Sequence, residues 1–459
     1  MKRKVLLSIL IITAMLISVI PAMAASDNKM IGINVVLNTE VTDGILADLG
    51  THGKVRDVLI EINALTMQVR SGDLATIQAL PYVAAANPDA ERKGAPIDTV
   101  AVTDFMDGLS TWNLDAINVT DYGFDNRQVD YDGEGVYVAV LDTGLVDSWR
   151  QYFPQERIAT EYAISFGGGG GEIGTVSTQP NKWEHDQNSH GTHVTSTIIG
   201  YNLRGDPVNG VAPMATIIPV KVLNQNGSGW SSAIAAGIVY VADLKAGPLA
   251  GSPVVINMSL GGPGLDAVEQ AAIDYAISKG VIIVASAGNE GEAGMGYPGA
   301  YPPVISVAAS GWIGEWYPPG NRSWWWNLNV LEPTNPSQFY ITDFSSRELA
   351  LQDLDVAAPG SWVVGPYNVN SGQISYYFLG GTSMASPHVA GTVALMVQKK
   401  PGLTATEAET ILEGSAIPLA PGCQDVYESN GSISEYCWGA DATGAGLLDA
   451  AAAIAATTP

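Results

Sequence analysis

Two rhythms of apolar and polar positions divide this chain. Across residues 31–86, short alternating runs (IGINVVL, VRDVLIEI, LTMQV and YVAAA) are separated by two helix-like pieces at 42–49 and 73–80. Alternation with a period of two marks half-buried strands, whereas apolar positions three and four apart mark helices. The stretch therefore predicts a small α+β unit. Residues 87–108 then gather proline, glycine and charge with little periodicity, which predicts an exposed linker that a protease could reach.

From Gly135 the rhythm changes. Apolar runs such as VYVAVLD, TIIPVKVL, VVINMSL, VIIVASAG and VISVAAS alternate with amphipathic segments such as SAIAAGIVYVADLK and AVEQAAIDYAISKG. A strand that is apolar on both faces has to be covered on both, so the pattern predicts a mostly parallel sheet between layers of helices, an α/β domain. In such sheets chemistry collects at the carboxyl ends of the strands. Helices are predicted at 383–400, 406–414 and 447–456. Two segments interrupt the rhythm. A glycine run at 167–171 lacks the Gly-Lys-Ser/Thr ending of a phosphate loop and reads as flexible surface loop. A Trp- and Pro-rich insertion at 311–342 carries WYPP and WWW. It reads as an aromatic cap on the domain, with a substrate- or partner-binding rim as the functional alternative.

Composition changes the picture in three ways. A chain of 459 residues is ample for a large core with a second unit appended. Its formal net charge of -25 argues against a nucleic-acid partner, because a phosphate backbone is neutralised by clustered Lys and Arg. Lys2, Arg3 and Lys4 precede an apolar run at 5–20 and small residues at 21–24, the layout of an export signal cut after Ala24. No later segment reads as membrane-spanning, so a secreted protein free of the membrane after signal removal is expected. In an exported chain the only two cysteines, Cys423 and Cys437, are expected to close a local loop as a disulfide.

Four segments carry candidate chemistry. Asp142 ends the apolar run VAVLDTG, which presents a carboxylate at the tip of a buried strand, where it needs a partner such as a histidine. NSHGTHVTSTIIG sets His190 at the start of a helix. SAGNEG brings Asn289 out at a strand end beside Gly288, and a neutral amide there can donate to a developing oxyanion. GGTSMASPHVAG opens a long apolar helix with Ser383, where unpaired N–H groups and the helix dipole favour negative charge. Taken alone, Ser383 would read as a helix cap and Asn289 as part of a turn.

Together, VAVLDTG, HGTHVTS, SAGNEG and GTSMASPHVAG resemble the signature segments of the subtilisin-like serine proteases, in that family's Asp, His, Ser order, over the chain from Trp112 to the C-terminus. The resemblance implies a subtilisin-like three-layer fold at 109–459 and a secreted serine endopeptidase. By it, Asp142 orients His190, His190 takes the proton of Ser383, and Ser383 forms an acyl-enzyme while Asn289 and the Ser383 amide hold the oxyanion. It also implies that Gly227, Ser228, Gly229, Ser259, Leu260 and Gly261 form two edges between which a peptide lies as an added strand. Gly288 belongs to the same groove, and Gly296 stands at the base of a pocket open to large apolar side chains. His193 and His388 read as helix-packing residues. The N-terminal unit (25–108) resembles a ferredoxin-like propeptide that chaperones and inhibits such proteases and leaves by self-cleavage, with Phe105, Met106 or Leu109 at its end. No catalytic cofactor is implied, and a monomer is expected. Relatives hold structural calcium with an aspartate nine residues beyond the catalytic one, where this chain has Gln151; Asp206 and Asn209 in the loop after the His helix are the remaining weak candidates.

Two other classes stay open at this point. One is a catalytically silent binding module on the same fold. The other is metal-dependent hydrolysis through His185, Asp186 and His190, although the stretch lacks the HExxH spacing of zinc hydrolases.

Overall fold

The computed structural model describes residues 29–93, 98–101 as backbone, 110–123, 126–172, 174–317, 329–367 and 375–459. The export signal expected at 1–24, the junction residues Phe105, Met106 and Leu109, and the WWW run lie outside the described residues.

The sheet at the centre of the larger unit runs in the order Phe339–Ile341, Ile305–Trp312, Val281–Ser286, Val254–Met258, Tyr137–Asp142, Thr216–Lys221, Ile164–Gly167 and Ser177–Thr178, with Val356–Pro359 also paired to Ile305–Trp312. Its interior pairings are parallel and the two end pairings are antiparallel. Side chains alternate across it as the two-faced apolar runs require. Val138 and Val140 face the core under helices His190–Ile199 and Thr382–Lys399, while Ala139 and Leu141 face the core under Ser231–Ala246 and Ala267–Ser278. Each fully buried Val, Leu or Ile stabilises by about 1.5–3 kcal/mol, so this double-sided burial holds the strand ends, and whatever they carry, in place. The result is the three-layer α/β fold.

The smaller unit has its own core of Ile33, Val35, Leu49, Leu65, Met67, Val69 and Ile77. Its antiparallel strands lie in the order Gly53–Leu59, Ala64–Arg70, Met30–Leu37 and Val83–Pro88, with helices Asp43–His52 and Leu74–Gln78, a ferredoxin-like arrangement. The predicted helix at 42–49 starts where Thr42 caps it, Oγ1 accepting from the Ile45 amide at 3.3 Å.

Two sequence expectations change and a third is kept. Residues 87–108 are not simply an exposed linker. Glu91–Lys93 forms a strand against Ser228–Trp230, with Arg92 fully buried, and Asp98–Ala101 pairs with Tyr376–Gly380. Asp89 and Arg92 are buried and paired while Glu91 and Lys93 stay exposed, a division that a local reading of polarity cannot see. The glycine run is not a free surface loop either. It packs under the smaller unit: the Gly171 amide donates to Asp89 Oδ2 at 2.8 Å, and a Cβ on Gly171 would lie 2.4 Å from the Trp230 ring. Glycine is needed for this approach of backbone to ring. In the insertion, Trp312 and Trp316 are core residues; Trp312 stacks on Trp112 and Trp316 meets Trp362 and Phe378 edge-on. The described part of the insertion is thus an internal aromatic cap.

The two units meet through a buried polar network. Asp89 accepts from Asn34 Nδ2, Ser231 Oγ and the Ser232 amide at the start of helix Ser231–Ala246. Asp266, the N-cap of helix Ala267–Ser278, accepts from Asn34 Nδ2 and Ser231 Oγ at 2.7 Å and from Asn87 Nδ2 at 2.9 Å. Two carboxylates thereby face two helix N-termini, where negative charge is favoured.

Candidate active site

Asp142 closes the central strand Tyr137–Asp142, and His190 opens the helix His190–Ile199 that packs on it. Both side chains are buried, and His190 Nδ1 lies 2.8 and 2.9 Å from the two Asp142 oxygens. A carboxylate facing Nδ1 places the ring proton on that nitrogen and leaves Nε2 as an acceptor. Gly191 permits this approach: a Cβ there would lie 2.4 Å from the Gly144 carbonyl oxygen and 3.2 Å from Asp142 Cβ.

Ser383 sits in the first turn of the helix Thr382–Lys399. Its Oγ donates to the Ser259 carbonyl at 3.1 Å, and Ser259 Oγ donates to the Ser383 carbonyl at 2.8 Å. His190 Nε2 has no hydrogen-bond partner among the described residues, so the hydroxyl here leans on backbone and not on the imidazole. Asn289 follows the strand Val281–Ser286, and its Oδ1 accepts from the Thr382 amide at 2.9 Å and from Thr382 Oγ1 at 3.0 Å. With Oδ1 occupied by two donors, Nδ2 is the donor group that the side chain has left to offer. Gly288 precedes Asn289 with φ +108.

The two proposed groove edges are brought together, and a strand of the chain itself lies between them. Lys93 pairs opposite Ser228, Arg92 opposite Gly229 and Glu91 opposite Trp230. On the other side Lys93 and Gly261 exchange two backbone hydrogen bonds of 2.9 Å. Gly227, with φ +72, turns the chain into the first edge; Leu260 is buried beneath the second. Gly296 backs that edge, where a Cβ would lie 3.4 Å from the Gly262 nitrogen. Downstream, Asp98–Ala101 pairs with Tyr376–Gly380, the strand that leads into Ser383.

The remaining histidines do not join the site. His193 and His388 are fully buried; burial pulls them down to about 3 and about 4, and each is bonded to a backbone carbonyl, Val363 and Met384 respectively. His185 is exposed on Asp147, while the Asp186 carboxylate accepts from Thr143 Oγ1 and from the Asn188 and Ser189 amides. With His190 committed to Asp142, the ligand atoms of His185, Asp186 and His190 do not converge as a metal site would need.

The loop carrying the calcium candidates Asp206 and Asn209 follows the His helix. It folds as a hairpin, Tyr201–Leu203 against Asp206–Val208, in which Asn202 donates to the Gln151 carbonyl and accepts from the Gly205 amide. Asp206 is the one carboxylate there, and it belongs to no cluster of three converging ligands among the described residues. A different trio does converge: one ligand oxygen each of Asp353, Asp355 and Glu409 lie within 4.8 Å of one another, and Asp355 is buried with Oδ1 unpartnered. The cysteines close as expected, Cys423 bonded to Cys437 across the hairpin of Gly422–Tyr427 and Ile433–Trp438.

A supporting layer behind the Asp–His pair was not anticipated. Thr143 Oγ1 donates to Asp186 and accepts from the Gly191 amide, while Lys221 Nζ donates to the Thr143 and Leu223 carbonyls. Burial raises the Asp186 carboxyl to about 6 against the pull of Lys221, and burial lowers Lys221. The available signal was a lysine ending the apolar run TIIPVK, which the parallel register sets beside Asp142.

Residues 133–439 match the Peptidase_S8 subtilase family. Subtilisin DY of Bacillus licheniformis is 34% identical over 294 residues, 63% of this chain and 86% of that protein. Thermitase of Thermoactinomyces vulgaris is 30% identical over 305 residues, 66% of this chain and 88% of that protein. Among solved structures, Sphericase matches 74% of this chain and 97% of its own at 30% identity and a TM-score of 0.52. Fervidolysin of Fervidobacterium pennivorans, described as a keratinolytic enzyme related to subtilisin, matches 95% of this chain and 62% of its own with a TM-score of 0.63. At 24% identity that likeness concerns the fold alone, but it spans both units. The chain belongs to the subtilase family. It is a serine-type endopeptidase acting on polypeptides, in a family that needs no catalytic cofactor.

Proposed function

We propose that this chain is a secreted proenzyme whose nucleophile is Ser383, activated by the Asp142–His190 pair. Ser383 Oγ leaves the Ser259 carbonyl, passes its proton to His190 Nε2 and attacks the scissile carbonyl; Asp142 stabilises the imidazolium that results. Asn289 Nδ2 and the Ser383 amide donate to the tetrahedral oxyanion, and His190 returns the proton to the leaving amine. Substrate lies as a strand between Ser228–Gly229 and Gly261. The reading rests most heavily on one observation: the chain's own Glu91–Lys93 occupies that groove as a strand, with Ser383 and the Asp142–His190 pair beyond it.

In this reading residues 25–108 form an inhibitory propeptide. It leaves when the enzyme cuts between Lys93 and Ser110, and the pocket over Gly296 would take the side chain before the cut. No helix among the described residues is long and apolar enough to cross a membrane, and the charged, apolar and small-residue order of residues 2–24 supports export of the enzyme. Casein hydrolysis by the secreted protein is the test, and a serine-directed fluorophosphonate is expected to abolish it. Hydrolysis that survives stoichiometric labelling would contradict the reading.

We further propose that structural calcium is held by Asp353, Asp355 and Glu409 rather than by the loop of Asp206 and Asn209. The ion would offset three carboxylates that otherwise repel, supplying rigidity and no chemistry. Millimolar calcium is expected to raise Tm by several degrees, as ligand binding to the native state does. Asp355→Asn is expected to remove that increment; an unchanged increment would place the ion elsewhere.

A further inference from the structure

The strand in the groove carries a side chain that the fold alone does not require. Arg92 is fully buried against the larger unit. Its Nε lies 3.0 Å and its Nη2 2.5 Å from Glu269 Oε2, and Nη2 also donates to the Gly264 carbonyl at 2.7 Å. Gly262 forms the wall, since a Cβ there would stand 3.0 Å from Arg92 Nη1. Glu269 itself is fully buried in the first turn of helix Ala267–Ser278, with the Asp266 carboxylate one turn behind it. Burial pushes the Glu269 carboxyl up, against the opposing pull of Arg92. Once the N-terminal unit departs, the Glu269 carboxylate and the Gly264 carbonyl lose the cation that covers them and face an open recess.

The register says which substrate position reaches this recess. Lys93 is opposite Gly261 in an antiparallel pairing. Extending that pairing by two residues sets a substrate's next-but-one residue opposite Ser259, whose carbonyl receives Ser383 Oγ. The residue at the cut is therefore three positions after the one in the Arg92 recess. We propose that Glu269 makes this enzyme select polypeptides with arginine as the fourth residue before the cleaved bond. The inference rests on the protease reading above, with the propeptide acting as a substrate mimic. A guanidinium reaches Glu269 and the Gly264 carbonyl together through its planar fork, which neither lysine nor an apolar side chain can do.

The test uses the matured wild-type enzyme and three quenched-fluorescence peptides that differ only at that fourth position: arginine, its neutral isostere citrulline, and leucine. Hydrogen bonds to charged groups predict kcat/KM about 100-fold higher for arginine than for citrulline, with leucine as poor as citrulline. In matured Glu269→Gln the arginine-to-citrulline ratio is expected to fall to about threefold or less. Should that variant fail to mature, the wild-type ratio decides alone. Equal cleavage of all three peptides by wild type would overturn the arginine subsite while leaving the protease intact, and Glu269–Arg92 would then be only a docking contact. Cleavage of none would instead overturn the protease reading on which the subsite rests.

Discussion

Ser383→Ala, produced with no active copy present, is expected to accumulate as a precursor that retains the N-terminal unit. Without Oγ there is no group for His190 Nε2 to activate, so neither the chain's own junction nor an added substrate can be acylated. Loss of the nucleophile in subtilisin itself lowers turnover on the order of a millionfold, and a loss of that size is expected here. The folded state should survive, because Oγ contributes one hydrogen bond, to the Ser259 carbonyl, and a lost neutral bond costs about 1 kcal/mol. Intact-mass spectrometry of secreted wild type beside the variant reads the result. Wild type is expected to begin between Gly94 and Ser110, and the variant to keep the unit starting near Ala25. A variant trimmed at the wild-type position would show that another enzyme does the cutting.

Asn289→Leu should give the second-largest effect. Leucine is close to asparagine in size but offers no donor, so charge developing on the scissile oxygen loses one of two supports. The established range for removing such a donor, measured on subtilisin, is roughly a hundredfold to a thousandfold in kcat. KM should change little, because the donor acts on the transition state and not on bound substrate. The Thr382 amide and hydroxyl lose their acceptor as well, so the Tm of the variant has to be read beside its kinetics. A kcat within threefold of wild type would remove Asn289 from the proposed oxyanion site.

The parts of this account that were legible in the chain share one property: the chemistry coincides with a local change of pattern. Asp142 is the first polar residue after a run of apolar ones, Asn289 follows another such run, and His190 and Ser383 each open an apolar helix. Strand ends and helix starts can be read within ten residues, so these four positions were visible. The predicted helices at 406–414 and 447–456 appear with caps from Thr404 and Asp449, whose side chains accept from the backbone three residues on.

What stayed hidden depends on residues far apart. Arg92 read as one charge in a polar linker because its partner, Glu269, is 177 positions away. The glycine run read as loose because nothing nearby says that Asp89 and Trp230 pack on it. Asp353, Asp355 and Glu409 drew no notice because they come from two separate segments and converge only in the fold. Lys221 is the intermediate case. It could have been noticed as a charge ending an apolar strand, but its role beneath Thr143 and Asp186 needs the sheet register.

Mapping the covalent adduct is the most direct check on the proposed chemistry. Matured enzyme treated with a fluorophosphonate and digested should yield one labelled peptide, containing GTSMASPHVAG with the added mass on Ser383, and His190→Ala should label far more slowly although the serine is still present. A label on any other residue, or equal labelling rates with and without the imidazole, would contradict the claim that Asp142, His190 and Ser383 work as one unit.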